Sequence, residues 1–224
     1  MNTTTLAPGR VVGVLILAQM AGGVLVNFVL AAPLFGSPGF LANAAPHSSQ
    51  IATSILLGLA LGGLSLAIAI AVFPIVRPRS LAMALGLVAL ATVSLAVAAV
   101  EQIGVSSMLS VSEAYAKASA PEQELFQSLR VVVASARNGA HYIGLIIGGS
   151  TIFALYAILY RFALVPRWLA GFGLAAAALQ IGAVAMPLFG QGIVFPLLAP
   201  LGVSQLILAL WLITKGFRDS AIAA

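Results

Sequence analysis

Two long stretches of this chain contain no charged residue. No Asp, Glu, Lys or Arg occurs from Val11 to Val76 or from Trp168 to Thr214. One membrane-spanning helix needs about 20 apolar residues, so each stretch must hold at least two such helices. Overall, 62% of the residues are hydrophobic and 7% are charged, which is far from the composition of soluble domains. The sequence therefore predicts an all-α, polytopic membrane protein.

Apolar runs separated by proline, glycine and charged residues predict six membrane-spanning helices in one transmembrane domain covering residues 1–224. We place the spans near 11–33, 51–73, 80–101, 140–161, 167–187 and 194–214. Similar Pro-Leu-Phe-Gly motifs close the first and fifth spans, starting at Pro33 and Pro187. Together with the Pro-Arg motifs that open the third and fifth spans at Pro78 and Pro166, they favour three helical hairpins, formed by spans 1–2, 3–4 and 5–6.

Basic residues flank the spans unevenly. If the N-terminus is cytoplasmic, seven of the ten basic residues fall on the inner side, namely Arg10, Arg77, Arg79, Arg161, Arg167, Lys215 and Arg218. Positive charge concentrates on the cytoplasmic side of membrane proteins, so both termini are expected to be cytoplasmic. The net charge of +5 and the pI near 10.3 are then features of membrane orientation, and nucleic acid is not expected as a partner.

The one long polar stretch, residues 102–137, carries a helix start in its second half. Ser119 stands three residues before Glu122, which is the spacing of a capping box. Apolar residues then recur at helical spacing at Leu125, Leu129, Val132 and Ala136. We expect an extra amphipathic helix near 119–137 on the outer side, covered by the bilayer or by the bundle. We also expect a cap or kink at Asn138-Gly139, because an unbroken helix to Arg161 would exceed 60 Å.

The residue inventory excludes several kinds of site. There is no cysteine, and the two histidines, His47 and His141, are far apart in the chain, so the usual metal-binding motifs are absent. No acidic residue falls at the centre of a span, which excludes an intramembrane pair of catalytic aspartates. No catalytic residue, metal site or cofactor is therefore expected.

Ionisable and amide side chains converge at one level, near the outer ends of spans 1, 3 and 4. Because Glu101 ends span 3 and His141 begins span 4, Glu101 is expected to pair with Arg137 or His141 across this hairpin. One interpretation is an outward-facing polar vestibule that binds a ligand. The other is a salt bridge that ties two helix ends together. The candidate ligand-binding residues are Asn27, Glu101, Gln102, Arg137, Asn138, His141 and Tyr142.

Small residues at four-residue spacing occur in two spans, at Gly58/Gly62 and Gly144/Gly148. Such pairs allow close helix contact. We favour packing within the bundle over a homodimer seam, so a homo-oligomer is not the favoured state. Pro196 and Pro200, near the start of the last span, can either make a hinge or simply delimit the helix.

The last third of the chain resembles a bacterial membrane family known as domain of unknown function 4386. The residues that carry the resemblance are Tyr160-Arg161, the run from Leu164 to Gly171, Pro196, Pro200, Leu208 to Leu212 and Lys215-Gly216, preceded by His141, Gly144, Gly148 and Gly149; Arg10 and Gly13 fit loosely. The resemblance implies a six-helix integral protein of the bacterial inner membrane with no assigned activity. It contributes no catalytic residue.

Three function classes remain open at this point. The first is non-enzymatic binding of a lipid or small amphiphile, or a role as an accessory or regulatory subunit, with membrane lipids as partners. The second is a small transporter, for which a charge at the membrane midplane is expected. The third is a membrane enzyme that uses Glu101 and His141 as an acid–base pair. A cavity touching Glu101 and His141 would favour binding or catalysis, whereas a path open to both sides would favour transport.

The orientation can be tested with reporter fusions after Arg79, Lys117, Arg167 and Lys215. The distribution of basic residues predicts cytoplasmic signals at Arg79, Arg167 and Lys215 and an external signal at Lys117. An external signal at Arg79 or Arg167 would contradict the predicted topology.

Overall fold

The computed structural model describes residues 3–218, and every regular element in this range is helical. The α-helices are α1 (Thr3–Val24), α2 (Ala32–Phe35), α3 (Phe40–Asn43), α4 (Ser48–Val76), α5 (Leu81–Lys117), α6 (Ala120–Arg161), α7 (Arg167–Ala185) and α8 (Ala199–Lys215). A π-helical segment, Leu25–Leu30, extends α1. The predicted all-α class is confirmed, and the terminal residues 1–2 and 219–224 of the predicted domain lie outside the described range.

Six helices are long and apolar enough to cross a membrane, as predicted. Within residues 3–218 these segments are Leu6–Leu30, Ala45–Val76, Leu81–Lys117, Ala120–Arg161, Arg167–Phe189 and Phe195–Lys215. Large apolar side chains point away from the bundle, for example Phe28, which is 77% exposed, and Leu56, which is 70% exposed. Such a surface is unfavourable in water but suits contact with lipid chains.

The six long helices form a closed ring in chain order. Each packs against the next, and contacts between α8 and α1 complete the ring. The predicted hairpin partners are therefore neighbours, but α4 also packs extensively on α5, and α6 on α7. We call the end of the bundle that holds residues 31–47 and 118–119 the Glu101 end. The opposite end, with residues 77–80 and 162–166, is the Arg79 end.

Helices α5 and α6 are longer than the sequence predicted. The third span was placed at 80–101, but α5 continues to Lys117, and α6 runs for 42 residues without a break. The cap or kink expected at Asn138-Gly139 is therefore wrong. A glycine inside a helix costs about 1 kcal/mol. Antiparallel packing of α5 and α6 along their length outweighs this cost. This packing includes an edge-on contact between Tyr115 and Phe126, whose ring centroids are 6.2 Å apart.

The start of α6 follows the predicted capping box. The Glu122 carboxylate accepts hydrogen bonds from the Ser119 main-chain N–H, at 2.8 Å, and from the Ser119 hydroxyl, at 2.6 Å. The apolar stripe of this segment is not covered by the bundle, because Leu125 is 63% and Val132 is 65% exposed. The helix packs instead through its neighbouring face, which includes Val133. The bundle is therefore not the covering of this stripe.

Glycines allow close contact between neighbouring helices inside the bundle. A Cβ atom added to Gly62 of α4 would lie 2.9 Å from the Leu95 side chain of α5, and one added to Gly58 would lie 2.7 Å from the Gln102 amide nitrogen. The Gly58/Gly62 pair thus packs internally, as we favoured. On α1, a Cβ at Gly13 would lie 2.7 Å from the Ala209 carbonyl oxygen of α8.

The two prolines near α8 delimit the helix. Pro196 lies in a 3-10 turn, Phe195–Leu197, and Pro200 lies in the first turn of α8. The first turn of a helix has main-chain N–H groups without helical partners, so proline costs little there. Of the two interpretations, the structure supports a helix start rather than a hinge within the span.

The contact between α1 and α8 can be tested with Gly13→Ala. The added methyl meets main-chain atoms of α8, which cannot move without separating the helices, so we expect a loss of about 1–3 kcal/mol in the free energy of unfolding. Gly23→Ala in the same helix is the control, because no atom lies within 4 Å of its added Cβ. Equal thermal stability of the two variants in detergent would contradict this packing.

Candidate functional site

The side chain of Glu101 joins α5 to α6 near the Glu101 end. Its Oε1 atom accepts a hydrogen bond from Arg137 Nη2 at 2.8 Å and lies 2.9 Å from His141 Nδ1. Arg137 and His141 are four residues apart on an unbroken helix and therefore share one face. The predicted pairing of Glu101 is confirmed, and it involves both candidate partners.

Arg137 is buried where α5 and α6 pack closely together. Its exposed fraction is 6%, and a Cβ added to Gly104 of α5 would lie 3.0 Å from the Arg137 Cβ. The guanidinium carbon lies 4.9 Å from the centroid of the Phe35 ring, a cation–π contact. A buried guanidinium is costly unless it is paired, and here Glu101 provides the counter-charge.

A cavity of about 220 Å³ adjoins the Glu101 carboxylate. Side chains or main chain of α1, α4, α5 and α6 surround it, and its lining includes the predicted residues Asn27, Glu101, Gln102 and His141. We call it the Glu101 cavity. Gly144 and Gly148 also border it, and their missing side chains leave it open on the α6 side.

Gln102 has an unusual environment for a polar side chain. It is only 9% exposed, it borders the Glu101 cavity, and its amide has no hydrogen-bond partner among residues 3–218. The Oε2 atom of Glu101 is likewise without a partner in this range, because both contacts of the carboxylate use Oε1. Buried polar groups are almost always paired, so these atoms are available to a ligand or to water.

Polar side chains continue from this cavity into the middle of the bundle. Gln19 and Ser65 border both the Glu101 cavity and a smaller one of about 30 Å³. Ser94 and Thr151 join α5 to α6 beside them, with their hydroxyl oxygens 2.9 Å apart. The polar side chains between His141 and Thr151 thus extend over about 15 Å along α6, toward the Arg79 end.

Sequence reasoning missed these deeper residues because it considered mainly ionisable side chains. A pattern that could have revealed them is a shared spacing of small or polar residues. Steps of four and then three residues occur on three helices, at Gly58, Gly62 and Ser65, at Ser94, Ala98 and Glu101, and at Gly144, Gly148 and Thr151. This spacing keeps all three members on one helix face, and in the structure those faces line the two cavities.

The remaining candidate residues lie elsewhere. Asn138 and Tyr142 border a separate outer cavity of about 730 Å³, together with Phe35 and Leu188. Arg137 borders neither cavity and instead lies between Glu101 and Phe35. The single vestibule expected from the sequence is therefore divided in two, because residues 31–43 fold back onto α5 and α6.

Comparison of this sequence with protein families identifies one that matches most of the chain. The family model described as domain of unknown function (DUF4386) matches residues 11–216. The chain belongs to this family. The match includes α1 from residue 11 onward, the other five long helices and every candidate residue, and it confirms the resemblance seen in the C-terminal third. No curated protein and no solved structure matches the chain, so the family contributes no activity to the site.

A double-mutant cycle tests the Glu101–Arg137 pair. Glu101→Gln alone leaves the Arg137 charge buried without a partner, so we expect a loss of about 3–5 kcal/mol in the free energy of unfolding. The double variant Glu101→Gln/Arg137→Gln should lose clearly less than the sum of the single losses. Glu113→Gln is the control on the same helix, because Glu113 is exposed and should change stability by less than about 0.5 kcal/mol. Additive losses in denaturation experiments would show that the pair is not coupled.

Proposed function

We propose that this protein binds a small ligand or lipid head group in the Glu101 cavity, without chemical conversion. The proposal rests mainly on Gln102, a buried amide that borders the cavity and has no hydrogen-bond partner among residues 3–218. A purely structural salt bridge between Glu101 and Arg137 would not require an unpaired amide beside it. Sites for small ligands typically combine an apolar cavity with a few such convergent polar groups.

Two features favour binding over the alternatives. A buried apolar cluster that includes Val72, Leu159 and Leu212 fills the Arg79 half of the bundle, between the cavity and that end. This arrangement supports a blind pocket more than a transport path. An acid–base role is less favoured, because Arg137 binds the same Glu101 oxygen that contacts His141, at 2.8 Å, and so occupies the atom that would take up a proton.

The ligand would enter from the Glu101 end, which the positive-inside rule predicts to face outward. Membrane lipids are the nearest source of ligands at this level, since Glu101 and His141 lie close to the ends of apolar segments. The same binding step would serve an accessory subunit that senses a lipid or small amphiphile. Native mass spectrometry of the protein released directly from its membrane is the most direct test, because a bound molecule adds a defined mass.

Gly58→Ala should weaken this binding without unfolding the protein. The added methyl would lie 2.7 Å from Gln102 Nε2 and 3.0 Å from its Oε1, so the flexible amide must move. The loss of its contacts with a ligand should reduce affinity about tenfold. Gly63→Ala is the matched control, since its Cβ would have no atom within 4 Å. An added mass that persists equally in both variants, or is absent from the wild type, would contradict the proposal.

A further inference from the structure

We infer that the head group bound in the Glu101 cavity is an uncharged polyol, meaning a group with several hydroxyls. This inference rests on the proposed function and specifies the chemical class of its ligand. It follows from two observations on the cavity, namely the balance of its charges and the hydrogen-bonding roles that remain free on its lining.

The charges around the cavity already balance. Among residues 3–218, Glu101 is the only Asp, Glu, Lys or Arg in the lining of this cavity. Arg137, which is not part of the lining, balances the Glu101 charge through its Nη2 atom, 2.8 Å from Oε1. A carboxylate accepts hydrogen bonds only, so His141 Nδ1 carries the hydrogen toward Oε1. A charged head group would therefore enter a partly desolvated site without a counter-charge, which is unfavourable.

Two amides in the lining have their orientation set by the main chain. Asn27 Nδ2 donates to the Gly23 carbonyl at 2.9 Å, and Gln19 Nε2 donates to the Leu61 carbonyl at 3.4 Å. Because a carbonyl oxygen only accepts, the nitrogen of each amide must be the atom at that contact. The Oδ1 atom of Asn27 and the Oε1 atom of Gln19 therefore remain as acceptors without a protein partner.

Donors and acceptors both remain free in the lining. Glu101 Oε2 accepts only, whereas Gln19 Nε2 and Asn27 Nδ2 each keep a second N–H beside the one donated to the main chain. Gln102 offers both a donor nitrogen and an acceptor oxygen without partners among residues 3–218. A carboxylate or phosphate head would place negatively charged oxygens beside the Glu101 carboxylate, which disfavours acidic lipids and fatty acids.

A hydroxyl meets both requirements. It can donate to Glu101 Oε2 or to an amide oxygen and accept from Gln102 Nε2 at the same time, and it brings no charge. A primary ammonium could satisfy the acceptors, but it would add an uncompensated positive charge beside Arg137 and offer no acceptor to Gln102. A quaternary ammonium would have no donor at all. Several neighbouring hydroxyls thus fit the lining best.

Four probes with alkyl chains of seven or eight carbons separate these head groups. They are octyl glycerol, octanoate, octylamine and octyltrimethylammonium. The full chain is placed in phosphatidylcholine nanodiscs, since this lipid has no hydroxyl donor, whereas alkyl glycoside detergents carry a polyol head themselves. Binding is measured by calorimetric titration, and the signal of empty nanodiscs is subtracted. We expect octyl glycerol to bind at least about tenfold more tightly than the other three.

Gln102→Leu gives the matched variant, because it removes the amide and keeps a similar volume. We expect it to weaken octyl glycerol binding at least about tenfold, while Gly63→Ala leaves binding unchanged. Tightest binding of octanoate or of either ammonium probe, reduced by Gln102→Leu, would overturn the polyol inference and leave the proposed function standing. No binding of any probe in wild type and Gln102→Leu alike, together with no co-purified mass, would overturn both.

Discussion

The site depends on one carboxylate oxygen, Oε1 of Glu101, which holds two partners from α6. This contact ties α5 to α6 at the point where Gly104 allows them to approach closely. It also neutralises Arg137, which could not otherwise be buried near the end of an apolar span. Because both hydrogen bonds use the same oxygen, the second oxygen remains free beside the cavity. The interaction that stabilises the helix pair therefore also leaves a binding group available.

Much of this arrangement could be predicted from the sequence. The apolar runs, separated by proline, glycine and charged residues, predict the number of long helices, and the positions of Glu101, Arg137 and His141 predict the pairing of these three side chains. These predictions hold because burying charge is so costly that few geometries are compatible with it. The helix boundaries were predicted less well. The polar segment after Glu101 gives no apolar signal, yet α5 continues through it to Lys117 because α6 and the segment 31–47 pack on it.

The uncharged part of the site was the hardest to predict. Gln19, Ser65 and Thr151 each occur in an apolar run, and a single hydroxyl or amide in such a run does not indicate which way it faces. Their direction follows from the packing of several helices together, and the spacing shared by α4, α5 and α6 anticipates it for Ser65 and Thr151 but not for Gln19 on α1. Asn138 and Tyr142 were predicted to belong to the same site as His141, with which they share a helix, but they border the outer cavity instead.

Arg137 lies between side chains that border the two cavities. Its guanidinium binds Glu101, which lines the Glu101 cavity, and the guanidinium carbon lies 4.9 Å from the ring centroid of Phe35, which lines the outer cavity. Phe35 ends α2, so the position of residues 32–35 and the position of the Glu101 carboxylate depend on the same side chain. Glu101 and Phe35, which border different cavities, therefore both contact the same buried charge.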